Sequence, residues 1–385
     1  MRFLFAILFL LSAVCVHAQT AVARPMKVAV FAPVYLDSVF AGNDYKLSKT
    51  ATLPRYILPG LDFYDGVMLA IDSLNKEKAQ VEVLFYDTKS ETGLAQQLSD
   101  TSMQDVALII ASFSNKEEIR PVADFALSKK ILLLSATYPN DGGVSANPFL
   151  VLLNPTLTAH IEGLYKYVKR SYPTQTITWF RKSGEAEDQI ETLFTAQQKK
   201  AAGPQLKLRS VTLSENFSEN DVLANLDSNR QNIVVCGSLN EAFGSSLTKA
   251  LSSSQSYRVL AIGMPTWDGV RDMSKNLEVV YSTPYHFPRT EKQGILLAEK
   301  YKSKYAGRAT DMVFKGFESM YHFTKLLLKY GNALPAHLSD KEFKLFNEFD
   351  IQAVKSSTDP AVTDYLENKK LYFIRKKDGA VRTIN

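Results

Sequence analysis

Short apolar runs alternate with longer amphipathic segments along most of the chain. The first four runs lie at 27–33, 81–87, 105–112 and 131–137. Their hydrophobicity is continuous rather than alternating, and apolar residues recur at helical spacing in the segment 60–75 that follows the first run. Continuous apolar strands separated by helices are typical of a parallel sheet that helices cover on both faces. The pattern therefore predicts a doubly wound α/β unit.

The same alternation restarts near Asn154 and predicts a second unit of similar architecture. Its strands are predicted at 176–182, 207–213, 232–238, 257–265 and 277–288. Helices at 290–305 and 310–330 and late strands at 346–354 and 370–384 follow this unit. No repeat is visible at the level of residues, so the two units resemble each other in architecture alone.

The N-terminus has the pattern of a secretory signal peptide over residues 1–18. Arg2 precedes an apolar run that is too short to span a membrane, and Val16-His17-Ala18 fits a small-x-small cleavage site. We therefore expect an exported chain that begins at Gln19. Cys15 lacks the surrounding residues of a lipoprotein site, so we do not expect a lipid anchor.

Charge and cysteine content narrow the class of protein. The formal net charge is +5, from 45 Lys and Arg against 40 Asp and Glu, and such a balance indicates no nucleic-acid partner. No other apolar run is long enough for a membrane span. Cys236 would be alone after signal removal, so no internal disulfide is expected. A single cysteine in an exported chain favours a protein of the bacterial periplasm, and we expect Cys236 to be a small buried hydrophobic residue.

The sequence offers little support for catalysis. The four histidines beyond the signal form no metal-ligand spacing, and neither a nucleophile elbow nor a phosphate-binding loop is present. We therefore expect a protein that is not an enzyme and needs no metal or cofactor; an α/β enzyme is the weakest of three hypotheses.

Hydroxyl side chains follow two strands of the first unit. Ser112, Phe113 and Ser114 lie between a strand and a helix, where ligands of parallel sheets bind and where free N–H groups favour an anion. The alternative is a capping box formed by Ser114 and Glu117, and the two interpretations are compatible. Ser135, Ala136 and Thr137 end the next strand, with ordinary turn chemistry before a proline as the alternative. Together, the hydroxyl residues after these two strands predict a polar rim at the carboxyl ends of the first unit's strands.

Trp267 is the aromatic residue that the pattern favours most as a pocket wall. It follows a predicted strand of the second unit, in a loop. The alternative is a surface tryptophan that packs on its own loop.

Several segments resemble the type I periplasmic binding proteins, in particular the leucine-binding-protein-like solute receptors of ABC transporters. The segments are GLDFYDGVMLAIDSLN, ALIIASFSNKEEIRPVADFALSKKILLLSATYP, NPTLTAHIEGLYKYV, VVYSTPYHF and FKGFESMYHFTKLLLKYG. The resemblance implies two Rossmann-like doubly wound lobes joined by three crossings, near 149–155, 280–286 and 330–345. Lobe 1 would contain 26–150 and 284–332, and lobe 2 would contain 151–283 and 333–385.

The resemblance also implies where a solute binds. In the family, the loops that match Ser112–Ser114 and Ser135–Thr137 hold small ligands with carboxylate and amino groups. Second-lobe contacts are implied near Glu185, Ser238 and Trp267, with Glu185 as the partner of an ammonium group. The implied function is capture of a small polar solute, an amino acid or an amide, for ABC-type uptake or sensing, with an ABC permease or an envelope protein as partner.

The chain departs from the family pattern in two places. A long polar insertion spans Val34 to Ile57, and RKSGEAED replaces the aromatic-Gly signature after the first strand of the second unit. Similar insertions occur in binding-protein-like domains that accompany LysM modules, and penicillin-binding-protein activators use a related lobe pair. The alternative function is therefore a ligand-free scaffold that contacts the machinery of peptidoglycan synthesis.

Overall fold

A computed structural model describes residues 24–47, 52–270 and 276–384. The predicted signal peptide, with Cys15, lies outside the described residues. Two separate sheets organise the described chain, and each contains mostly parallel strands.

The first sheet has seven strands in the described part of the chain. In spatial order they are β13 (Ile351–Lys355), β14 (Thr363–Asn368), β7 (Leu150–Leu152), β6 (Leu132–Ser135), β5 (Val106–Ala111), β1 (Met26–Ala32) and β4 (Val81–Asp87). All neighbours are parallel except the edge strand β13, which runs antiparallel to β14.

The second sheet also has seven strands within the described ranges. Their order is β16 (Ala380–Ile384), β15 (Tyr372–Lys377), β12 (Glu278–Thr283), β11 (Arg258–Gly263), β10 (Gln231–Cys236), β8 (Thr176–Lys182) and β9 (Lys207–Leu213). The five strands from β12 to β9 are parallel, and β15 and β16 form an antiparallel hairpin at the edge. Asp378 and Gly379 both have positive φ, as a tight hairpin turn requires.

Helices connect the strands. They are α1 (Leu36–Val39), α2 (Leu58–Lys76), α3 (Leu94–Leu98), α4 (Ile119–Lys129), α5 (Leu157–Ser171), α6 (Glu185–Lys200), α7 (Glu219–Leu223), α8 (Glu241–Ser252), α9 (Lys292–Tyr305) and α10 (Asp311–Tyr330). A short β2–β3 hairpin (Phe40–Ala41 and Asp44–Tyr45) follows α1 inside the predicted insertion, of which residues 48–51 lie outside the described chain.

Both faces of each sheet are buried. In β1, Val28 and Val30 belong to one apolar core, whereas Ala29 and Phe31 belong to a second core on the opposite face. The second sheet likewise has two cores. This two-sided burial is the reason that the strands are continuously apolar, and the predicted doubly wound α/β class is confirmed.

Cys236 ends β10 as a fully buried free thiol. Burial raises the pKa of Cys236 to about 12, so the thiol is held in its neutral form. The prediction of a small buried hydrophobic residue is confirmed.

Helices α2 and α10 cross at two glycines. A Cβ atom at Gly66 would lie 2.1 Å from the Val313 carbonyl oxygen, and one at Gly316 would lie 2.1 Å from the Phe63 carbonyl oxygen. The two backbones are therefore in direct contact, which leaves no space for a side chain at either position.

The assignment of residues 333–385 to the second unit is wrong for most of that segment. Leu334, Leu338, Phe346 and Phe349 pack in the first unit's core, and β13 and β14 extend the first sheet. Only the β15–β16 hairpin joins the second sheet. The third crossing consequently lies at 369–371 and not near 330–345.

Candidate functional site

The carboxyl ends of β5 and β6 bring two predicted hydroxyls together. These strands are neighbours, and Ser112 Oγ lies 3.1 Å from Thr137 Oγ1. Ser112 is buried and Thr137 is half-buried. Ser135, the last residue of β6, is fully buried, and its Oγ has no hydrogen-bond partner among the described residues. The rim of the first sheet is therefore polar, with unused hydrogen-bonding capacity.

Ser114 is committed to an internal contact. Glu118 Oε2 accepts a hydrogen bond from Ser114 N at 2.8 Å, and Glu118 Oε1 accepts one from Ser114 Oγ at 3.0 Å. Asn115 Oδ1 accepts a bond from Glu118 N. The predicted capping box of Ser114 and Glu117 is thus wrong by one residue, because Asn115 is the capping residue and Glu118 is its partner.

Glu118 also forms an ion pair beside the start of this helix. Its carboxylate is buried, and Lys89 Nζ lies 2.5 Å from its Oε1. The Ser114 N–H group beside this helix start therefore already faces an internal carboxylate that is paired with a lysine.

Replacing Glu118 with alanine should lower the free energy of unfolding by about 1–3 kcal/mol, because the Ser114 donors and Lys89 lose their partner. Urea-induced unfolding at neutral pH measures the change. Glu117→Ala is the matched control, since Glu117 is an exposed neighbour. Equal effects of the two substitutions would contradict the capping role.

Two of the predicted rim residues face other structural partners. Phe113 is buried in an apolar core of the first sheet. Ala136 is fully buried, and its carbonyl oxygen accepts a hydrogen bond from Tyr285 Oη at 2.5 Å. Tyr285 follows the second crossing, so this bond ties the rim to the returning chain.

In the second unit, a buried acid lies two residues beyond the predicted one. Glu185 is exposed at the first turn of α6, whereas Glu187 is buried and accepts a 2.6 Å hydrogen bond from Ser238 Oγ. Ser238 Oγ also accepts a bond from Asn240 N. The sequence signal for Glu187 was its helical phase, since it precedes the buried Ile190 and Phe194 by three and seven residues.

Trp267 lies in the core of the second unit. Its side chain is fully buried, with Nε1 unpartnered among the described residues. It fills the space above Gly263 and Gly244, where an added Cβ would lie 1.9 Å and 2.6 Å from indole atoms. The indole thus packs beneath its own loop rather than lining a pocket in this structure.

Charged and phenolic groups of both units meet between the sheets. Lys315 of α10 places its Nζ 4.6 Å from the centroid of the Tyr285 ring. Tyr281 of β12 donates a 2.9 Å hydrogen bond to Asp268 Oδ1. Burial lowers the pKa of Lys315, and the charges of Asp311 and Asp268 act against that shift. None of the four apolar clusters of the described residues joins the two sheets, so no apolar core spans this junction.

A cavity of about 710 Å³ lies elsewhere, at the amino ends of β8, β9 and β10. Thr176, Lys207 and Gln231 are among its lining residues. Ligands of parallel sheets bind outside the carboxyl ends of strands, so we assign the candidate site to the junction rather than to this groove.

Across residues 24–47, 52–270 and 276–384, no cluster of three or more His, Cys, Asp or Glu side chains is placed to hold a metal ion. No helix of the described chain is both long enough and apolar enough to cross a membrane.

No family model matches the sequence, and no curated protein matches it. Solved structures match its fold. A Rhodospirillum rubrum protein, provisionally assigned as a branched-chain amino acid ABC transporter, superposes with a TM-score of 0.67 at 12% identity, covering 94% of this chain and all 100% of its own. A Burkholderia xenovorans branched chain amino acid ABC transporter periplasmic ligand-binding protein gives 0.61 at 13% identity, covering 94% of both chains.

A third match carries a ligand. The Desulfitobacterium hafniense ABC transporter substrate-binding protein, in complex with Leu, gives a TM-score of 0.55 at 13% identity and covers 93% of this chain and 99% of its own. The chain therefore has the type I periplasmic binding protein fold, as its sequence motifs predicted.

Proposed function

We propose that this protein is an extracytoplasmic solute-binding protein that captures a small polar ligand, an amino acid or an amide, between its two units. The observation that carries the proposal is the polar junction. The Ser112 and Thr137 hydroxyls lie 3.1 Å apart at the first sheet's carboxyl edge, and Tyr285 connects the neighbouring Ala136 carbonyl oxygen with Lys315 of α10. Each sheet keeps its own apolar cores, so the units can move against each other.

The chemistry is binding without turnover. The Ser112 and Thr137 hydroxyls would donate to and accept from the solute, and unpartnered Ser135 Oγ would support them. Rotation about the three crossings would then bury the ligand. Export through the predicted signal would place the protein in a periplasm, with an ABC permease as partner for uptake or sensing.

A thermal-shift screen of the chain from Gln19 onward tests this function. The panel contains the twenty proteinogenic amino acids, their amides and short peptides. We expect at least one solute to raise the melting temperature. The double substitution Ser112→Ala and Thr137→Val should lower the affinity for that solute at least about 10-fold, because two hydroxyl contacts are lost.

Thr212→Val is the matched control, since Thr212 is an exposed residue of β9. It should leave the shift unchanged. A screen in which no solute stabilises the wild-type chain would contradict the proposal. Only then would the ligand-free cell-wall scaffold become the better hypothesis, because the solved structures above are described as transporter proteins and lend it no support.

A further inference from the structure

One face of the second sheet changes from apolar to polar along its strands. Side chains two residues apart in a strand lie on the same face. Toward the carboxyl ends, the side chains of this face belong to an apolar core or pack against it: Phe180, Val211, Leu213, Val234 and Cys236. Toward the amino ends, the same face carries Thr176, Thr178, Lys207, Arg209 and Asn232. The amino ends of β8, β9 and β10 therefore present a polar surface on a face that is otherwise a core.

The connection between β9 and β10 leaves this polar surface uncovered. Helix α7 in that connection has only five residues, and its Val222 packs into the apolar half of the face. Residues 224–228 then line the polar half together with the strands, and a groove of about 710 Å³ remains. Small-molecule sites have volumes of roughly 300–1,000 Å³, so the groove has the size of a ligand site.

Two cations of the groove have no carboxylate partner in the described chain. Lys207 is exposed, and its ammonium group forms neither an ion pair nor a hydrogen bond with a described residue. Arg209 donates to the carbonyl oxygen of Asn225, which carries no charge. The acid that lines the groove, Asp227, already pairs with Arg230, with 3.0 Å between Oδ2 and Nε. An anion between Lys207 and Arg209 would therefore meet two cations that are free to bind it.

The other polar groups of the groove are uncharged. Gln175 lines it, and the Oε1 atom of Gln175 is buried without a hydrogen-bond partner among the described residues. A carbonyl oxygen can only accept, so a ligand that satisfies it must donate a hydrogen bond. The apolar lining residues are Ala224 and Leu226, and no aromatic side chain of the described ranges lines the groove. A ligand with an aromatic ring or a long apolar chain would find no complementary surface here.

We propose that this groove is a second binding site and that its ligand is a phosphorylated sugar. The phosphate would lie between Lys207 and Arg209, which are about 7 Å apart along β9. A phosphate monoester carries about −1.5 to −2 charges at pH 7, so it uses two cations better than a carboxylate does. Sugar hydroxyls supply the donor that Gln175 Oε1 lacks. The groove lies at the opposite ends of the strands from the junction, so the inference does not rest on the proposed function.

Isothermal titration of the chain from Gln19 onward tests this second site. The probes are glucose 1-phosphate, glucose 6-phosphate, inorganic phosphate and glucose, at neutral pH. We expect at least one of the two sugar phosphates to bind, inorganic phosphate to bind at least about 10-fold more weakly, and glucose to show no binding at the same concentrations.

Two substitutions separate the phosphate contacts from the sugar contacts. Lys207→Met should lower the affinity for the sugar phosphate and for inorganic phosphate by about 10- to 100-fold, because a charge-assisted hydrogen bond is lost. Gln175→Leu should lower the affinity for the sugar phosphate by about 3- to 10-fold and leave the affinity for inorganic phosphate unchanged.

Lys199→Met is the matched control. Lys199 is also an exposed lysine of the second unit, but it lies on α6, which packs on the opposite face of the sheet. This substitution should leave every affinity unchanged. Thermal unfolding followed by circular dichroism checks that the Lys207→Met chain is as folded as wild type.

Three results would overturn the proposal. The first is that neither sugar phosphate binds wild type, or that both bind wild type and Lys207→Met equally. The second is that inorganic phosphate binds as tightly as the sugar phosphates, which would exclude a role for the sugar. The third is that a hexaglutamate peptide binds more tightly than either sugar phosphate and loses affinity in Lys207→Met, which would assign the groove to an acidic protein segment instead.

Discussion

Replacing Glu318 with alanine should lower the free energy of unfolding by at least about 3 kcal/mol. Glu318 is buried in α10, and its Oε1 accepts bonds from Phe346 N and Asn347 N at 2.8 and 2.7 Å. Its Oε2 accepts a third bond from Asn347 Nδ2 at 2.6 Å. Alanine would leave three buried donors without an acceptor, and each costs about 1–3 kcal/mol. Chemical denaturation followed by circular dichroism measures the loss.

Glu318→Gln provides a milder variant with a distinct pH dependence. Burial raises the pKa of Glu318 to about 7, above its value of about 4.3 in an unfolded chain. Between these values the folded chain holds a proton that the unfolded chain has released, so the contribution of Glu318 to stability falls as pH rises through this window. Glutamine does not titrate. The stability of wild type relative to Glu318→Gln should therefore decrease from pH 4.5 to pH 7.5, and a difference that is constant with pH would contradict this account.

Replacing Trp267 with alanine should cost about 3–5 kcal/mol of stability, because a fully buried indole would leave a large cavity. The same denaturation experiment measures the cost, and Trp267→Phe keeps enough volume to yield a folded chain if alanine does not. Tyr56→Ala is the aromatic control, since Tyr56 is 57% exposed and should change stability little.

The Trp267 variants also separate a core role from the predicted pocket wall. A core residue lowers stability in proportion to the volume removed, whatever the solute. A pocket wall would lower the affinity for a solute while leaving the unfolding of the free protein nearly unchanged. A Trp267→Phe variant with lowered affinity for the solute and nearly unchanged unfolding would overturn the assignment of Trp267 to the core.

Local pattern predicted most of the elements because both faces of each sheet are buried. The predicted strands 81–87, 176–182 and 207–213 have the observed bounds. The strand Thr363–Asn368 was missed. Its sequence is polar, and only Leu366 and Glu367 pair with β7. Its place in the first sheet depends on a contact more than 200 residues away along the chain, which hydrophobic periodicity does not encode.

The candidate site was predictable where topology determines it. Ser112 and Thr137 follow neighbouring parallel strands, so their approach at 3.1 Å follows from the strand order. The family resemblance implied Glu185, whereas the helical phase of the sequence favours Glu187 as the buried acid. Lys315 has no local signature, since its environment is created by Tyr285 and Asp268 from distant parts of the chain.

The close crossing of α2 and α10 at Gly66 and Gly316 restricts the substitutions that this scaffold can accept. Lys315 and Glu318 lie on either side of Gly316, so one backbone crossing fixes the position of both. Any residue larger than glycine at 66 or 316 would separate α2 from α10 and displace every group that α10 presents. We therefore expect engineered versions that keep the groups of α10 in place to retain glycine at both positions.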